Sequence, residues 1–282
     1  MTTPPATISH VVPEAHRLNG LLGPSMPPRR AGALAASATF GWRAMLKIKR
    51  EPKQLTDVIA IPVLFTVLFT YIFGGAIGGT PGHYLKTLLP GTLVMGITAC
   101  TMYGGARLAQ DVTTGVFDRF RSLSVWRGAL VLGGLIGDAA RYLLAAALVV
   151  ILGVAIGYRP EGGALGVMAA VALVIAFGLS LSWMWAATAL LVRDPTTVMS
   201  LGLAVLIPPT FASNIFVQPR TMPGWLQAFV NINPISHLAD ATRGMMNNTS
   251  GVGGAVTWSL IATAGITLLF APLTVHLYGK QG

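Results

Sequence analysis

Few residues of this chain are equipped for chemistry, and they fall into three groups. Asp138 and Arg141 stand three positions apart inside a long apolar run, a spacing that puts two side chains on one helical face. An ionisable pair in such surroundings can relay protons, bind a charged substrate, or act as a structural ion pair that orients its helix. His237, Asp240 and Arg243 recur at intervals of three and could form one hydrogen-bonded stripe. In the third group, Asp111, Phe117, Asp118, Arg119, Phe120, Arg121, Leu123 and Arg127 mix charge with apolar side chains over one short amphipathic segment. Its apolar side chains should either dip into the membrane interface or insert into a cleft of a cytosolic protein, and since Arg and aromatic residues are the usual anchors of a protein contact, the segment is suited to docking. Thr113-Thr114, ahead of Phe117 and Asp118, offer a cap.

Other chemistries are missing. The five histidines show no metal-ligand spacing, and neither H-E-x-x-H nor G-x-S-x-G occurs. The one Gly-Lys pair, Gly279-Lys280, is followed by Gln281, so no Walker A phosphate loop can be built. The single cysteine, Cys100, cannot close a disulfide within the chain. The expectation is a chain without catalytic, cofactor or metal residues; if it moves something uphill, the energy must come from a partner or an ion gradient.

The elements that must position these groups follow from composition. Of 282 residues, 53% are hydrophobic and 10% charged, with mean hydropathy +0.67; soluble chains carry about a quarter charged residues. The fold class is therefore an all-α integral membrane protein. Apolar stretches of about 20 residues can span a bilayer, and six are read at about 58–79, 86–108, 131–157, 163–191, 197–217 and 255–278, the fifth broken by Pro208-Pro209. The net charge of +10 gathers beside these runs, so it records membrane topology and not nucleic-acid binding. With the amino terminus inside, Lys and Arg divide 14 to 4 in favour of the cytoplasmic segments, Arg141 lying within a span. Both termini are expected in the cytoplasm.

Residues 1–32, rich in proline, read as a disordered cytoplasmic tail. Over 33–54, Trp42 lies on an apolar helical face and Arg43, Lys47 and Arg50 on an adjoining one. That pattern suits a helix lying in the interface near anionic lipid heads, or a plain juxtamembrane segment. Beyond the fifth span, Pro219, Pro223 and Pro234 divide the chain into short amphipathic pieces at about 223–231 and 234–246, expected as outer interfacial or re-entrant helices.

Four segments together resemble one family. They are QLTDVIAIPVLFTVLFTYIFGGAIGG, QDVTTGVFDRFRSLSVWRG, GLIGDAARYLL and PPTFASNIFVQPRTMPGWLQAFVNINPISHLADATRG. The run looks like the permease subunits of type-2 ABC exporters, most like the daunorubicin-resistance-like branch found largely in actinobacteria, over about residues 35–278. The resemblance implies a transmembrane domain over 33–282 that pairs with a second permease copy, identical or related, and with two separate ATP-binding subunits. ATP and Mg²⁺ would sit on those partners, and this chain would bind no cofactor. The segment from Asp111 to Val125 would be the coupling helix seated in the ATPase, and the amino-terminal helix a second contact with it. Hydrophobic drugs or lipids would be the cargo, passing residues such as Phe69, Tyr71, Phe211 and Phe216. The alternatives are a polysaccharide or teichoic-acid-type exporter permease and an ion-coupled secondary transporter.

Overall fold

The structure, a computed structural model, describes residues 62–72, 74, 81–114, 129–217 and 219–280. Among these the regular structure is all helical. Helix α1 spans Pro62–Ile72. It is followed by α2 (Pro81–Thr113), α3 (Ala129–Ile156), α4 (Gly163–Val192), α5 (Pro195–Phe211), α6 (Gly224–Ile232), α7 (Pro234–Met246) and α8 (Gly253–Lys280), with a 3-10 turn at Pro219–Thr221 ahead of α6. Helices α2, α3, α4 and α8 are long and apolar enough to cross a bilayer, whereas α1 and α5 are shorter apolar helices. The 17 residues of α5 reach about 25 Å, short of a hydrocarbon core roughly 30 Å thick.

The fifth span departs from its expected limits of 197–217. Its helix stops at Phe211, and Ser213 to Phe216 leave the helix yet stay buried. The proline pair weakens the last stretch of the helix, because neither Pro208 nor Pro209 brings an N–H to the carbonyls of Ala204 and Val205. Past it, Ser213 Oγ donates to Thr210 O (2.5 Å) and accepts from Ile215 N (3.3 Å), so side-chain bonds replace helical ones. The second span is longer than the expected 86–108, because the helix carries its polar ends, Gly82-His83 and Gln110-Asp111, beyond the apolar run.

Helix α2 is the axis of the bundle, touching α3, α4, α5 and α7. Its residues from Leu88 to Thr98 are buried without a break. Close approach to α4 depends on Gly105, where a Cβ would lie 2.7 Å from Trp185 Cβ, and Trp185 Nε1 donates to Thr101 Oγ1 at 2.9 Å. Pro90 has no N–H for the carbonyl of Lys86; Asn247 Nδ2 donates to that carbonyl at 2.9 Å instead. Helix α3 ends at Gly157 with φ 115°, and the bond from Tyr158 N to Gly153 O (2.8 Å) closes a Schellman turn that favours glycine there. Away from α2, the exposed faces are greasy: Leu143 and Ile151 on α3, Leu268, Leu269 and Val275 on α8. Such faces suit lipid and not water.

Candidate functional site

Three features stand out. The first ties α2 to α3. Asp138 Oδ1 accepts from Arg107 Nη2 at 2.7 Å and forms an ion pair with Arg141 Nη1 at 3.0 Å. Gly104 leaves the carboxylate its space, since a Cβ there would lie 2.7 Å from Asp138 Oδ2. Arg107 Nε also donates to Tyr103 O (3.1 Å), while the buried Nε of Arg141 has no partner among the described residues. The expected pair is thus a trio. Arg107 lies on a different helix from Asp138, so no spacing rule could have paired them.

The second feature is an apolar cavity of about 280 Å³ between α1, α2 and α5, lined by Phe65, Met95, Ala99, Leu206, Thr210 and Phe211 among others. Four rings gather beside it. Phe69 and Phe216 have centroids 4.8 Å apart, Phe211 and Phe216 5.5 Å, and Phe65 and Phe69 5.4 Å. Three of the four expected path residues, Phe69, Phe211 and Phe216, therefore meet. Tyr71 is 66% exposed and stands outside the ring cluster. Phe65 was missed, although it precedes Phe69 by one helical turn and could have been read from that spacing.

The third feature is the end of the bundle where α2, α4 and α8 begin and α5 ends. The expected pieces at 223–231 and 234–246 are present as α6 and α7. Asp240 Oδ1 accepts from Arg243 Nη1 at 2.7 Å, and Arg243 Nη2 donates to Asn214 O at 2.9 Å. His237 does not join that stripe: it bonds Asn231 O (2.8 Å) and stacks on Trp258 at 5.7 Å. Asn233 caps α7 by accepting from Ile235 N (3.0 Å) and donates to Pro209 O (2.6 Å) and Ala212 O (3.2 Å). Nearby, Lys86 bonds Glu161 and holds its carboxyl below the ordinary glutamate range. Burial, helped by the Glu161 charge, pushes the Tyr158 hydroxyl up to about 12, and that hydroxyl donates to Asn247 Oδ1 at 2.8 Å. Among the described residues no three His, Cys, Asp or Glu side chains come together as metal ligands do.

A family model described as ABC-2 type transporter matches residues 37–247, well over half of the chain. This chain belongs to the ABC-2 type transporter family. It is 44% identical over 281 residues to the daunorubicin resistance ABC transporter permease protein DrrB1 of Streptomyces coeruleorubidus, across 100% of this chain and 99% of the relative. Two Mycobacterium tuberculosis proteins are more distant. The probable doxorubicin resistance ABC transporter permease protein DrrC is 24% identical over 262 residues, 88% of this chain and 93% of its own. The doxorubicin resistance ABC transporter permease protein DrrB is 26% identical over 214 residues, 76% of this chain and 74% of its own.

In this ABC-2 permease Asp111 lies exposed in the last turn of α2. The Thr113 and Thr114 hydroxyls donate back to Gln110 O (3.0 and 2.9 Å) and so finish α2. The other residues of the segment expected to dock, Phe117, Asp118, Arg119, Phe120, Arg121, Leu123 and Arg127, lie outside the described residues, as do Trp42, Arg43, Lys47 and Arg50. What the structure does give is the pair of helices on either side of that segment, α2 and α3, joined by Arg107 and Asp138.

Proposed function

We propose that this ABC-2 permease is the membrane half of an exporter that carries planar hydrophobic drugs, of the daunorubicin and doxorubicin kind, outward across the plasma membrane. The observation that carries the reading is the apolar cavity of about 280 Å³ beside four phenylalanine rings. Aromatic faces and aliphatic walls favour a flat, poorly hydrated ligand. A glycan would need many hydrogen-bonding groups, and Thr210 is the one hydroxyl-bearing residue lining the space, which argues against the polysaccharide alternative. An ion-coupled carrier would need a free ionisable group in the membrane; Asp138 is engaged by two guanidinium groups.

In this reading six spans cross the membrane, α1 and α5 being the first and fifth, with both termini in the cytoplasm. Two permease copies work with two ATP-binding subunits, which hold ATP and Mg²⁺. Residues 111–127 seat in those subunits, and their movement enters the bundle through the helices on either side, α2 and α3. Movement of α1 and α5 then parts the rings towards the outer leaflet. Inverted vesicles holding the permease and its ATP-binding partner should take up daunorubicin only with ATP. Arg119→Glu should abolish uptake while leaving insertion intact. Uphill uptake by the permease alone would refute the proposal.

A further inference from the structure

Helix α5 ends weakly. A proline pair near its end deprives it of two ladder hydrogen bonds, and the last carbonyls of any helix lack intrahelical partners. Three of the last four carbonyls of α5 are met, each by a different donor. Pro208 O accepts from Ala212 N at 2.8 Å, and Thr210 O from Ser213 Oγ at 2.5 Å. Pro209 O is met by a side chain from another element, Asn233 Nδ2 at 2.6 Å, which also reaches Ala212 O at 3.2 Å. The other end of the same amide caps α7 through Ile235 N. One buried side chain (3% exposed) thus joins the end of α5 to the start of α7, and Pro234 behind it fixes the first turn of α7. The two carbonyls it holds flank Phe211, whose ring packs on Phe216 and Phe65.

We infer that Asn233 is a positioning residue for transport: its amide latches the end of α5 to α7 and keeps the four-ring cover shut until the ATP-driven cycle releases it. The inference rests on the reading that the rings close the drug path. The latch needs both halves of an amide, an acceptor for the cap and a donor for the carbonyls. That makes the two roles separable. Asn233→Asp keeps the cap, since Asp is as good an N-cap as Asn, but a carboxylate cannot donate to Pro209 O or Ala212 O. Asn233→Ser keeps a cap with a side chain too short to span to α5.

The test uses the full chain assembled with its ATP-binding partner in proteoliposomes loaded with daunorubicin. It reads ATP-free leakage of the drug alongside ATP hydrolysis. Both Asn233 variants should raise the leak about tenfold, equivalent to about 1.4 kcal/mol, with ATP hydrolysis within about twofold of the parent. A plainly structural residue would lower assembly and hydrolysis together. Phe216→Ala, which opens the cover directly, should leak as well. If Phe216→Ala leaks and both Asn233 variants stay tight, the latch is overturned and the path reading stands. If none of the three leaks, the path reading fails and takes the latch with it. Loss of insertion in both Asn233 variants would make the residue a folding determinant and overturn the assignment too.

Discussion

Asp138→Asn preserves shape and removes the one anion between two guanidinium groups at 2.7 and 3.0 Å. Both cations remain. Removing one partner of a buried ion pair costs about 3–5 kcal/mol, because an uncompensated charge is left behind. The Arg107 side chain is 27% exposed and can turn outward, whereas that of Arg141 is 11% exposed and is held inside. The loss should therefore fall near the low end, about 3 kcal/mol. For a chain of 282 residues that corresponds to a fall of roughly 5 °C in Tm. Tryptophan fluorescence during heating of the detergent-purified protein would read it. The decisive comparison is the neutral triple variant Arg107→Met, Asp138→Asn, Arg141→Met. Replacing a whole buried ion cluster by apolar groups is often neutral or stabilising, so the triple variant should recover most of the lost Tm. It should also keep ATP-driven export if the trio is a structural tie. A triple variant no more stable than Asp138→Asn alone would refute the charge argument, and abolished export with full stability would return Asp138 to a transport role.

Gly105→Ala should cost about 1–3 kcal/mol by overpacking, because the new Cβ meets Trp185 at 2.7 Å; Tm and tryptophan emission both report it. Asn247→Ala strips the partners from Lys86 O and Tyr158 Oη and should destabilise by about 1–3 kcal/mol, the usual cost of unmet polar groups, read by the same melt. The Lys86–Glu161 contact predicts a pH effect. Lys86 lowers the Glu161 pKa in the folded state, so its contribution is present above the ordinary glutamate range and fades as pH falls through that range towards the lowered value. A series of melts in acid should show this slope for the parent and a smaller one for Glu161→Gln.

Much of this fold was legible as a pattern of breaks. Pro219, Pro223 and Pro234 marked α6 and α7 nearly to the residue, because proline fixes where a helix begins. Hydropathy located α2, α3, α4 and α8 but misplaced the end of α5, since Ile215, Phe216 and Val217 continue the apolar run beyond the last helical residue. Apolar character reports burial, and these residues are buried or half-buried without being helical. Within the site, Asp138 and Arg141 could be paired from spacing alone, while Arg107 could not. Likewise nothing local shows that Asn233 and Asn247 serve carbonyls on α5 and α2, because those acceptors are exposed by prolines and helix ends elsewhere in the chain. Three members of the ring cluster, Phe69, Phe211 and Phe216, were anticipated from the family resemblance and from their place in the first and fifth apolar runs.

Between α4 and α5 the chain spends only Arg193, in a left-handed turn at φ 54°, and Asp194, whose carboxylate accepts from Thr197 N at 2.7 Å and from its hydroxyl. So short a join fixes the near end of α5 as a pivot, and motion of that helix must be a swing about it. At about 1.5 Å per residue, the 17-residue rod magnifies small rotations: a tilt of about 10° carries Phe211 roughly 4 Å. A displacement that size is comparable to the spacing between the stacked rings, so a modest rocking of one short rod is enough to separate them.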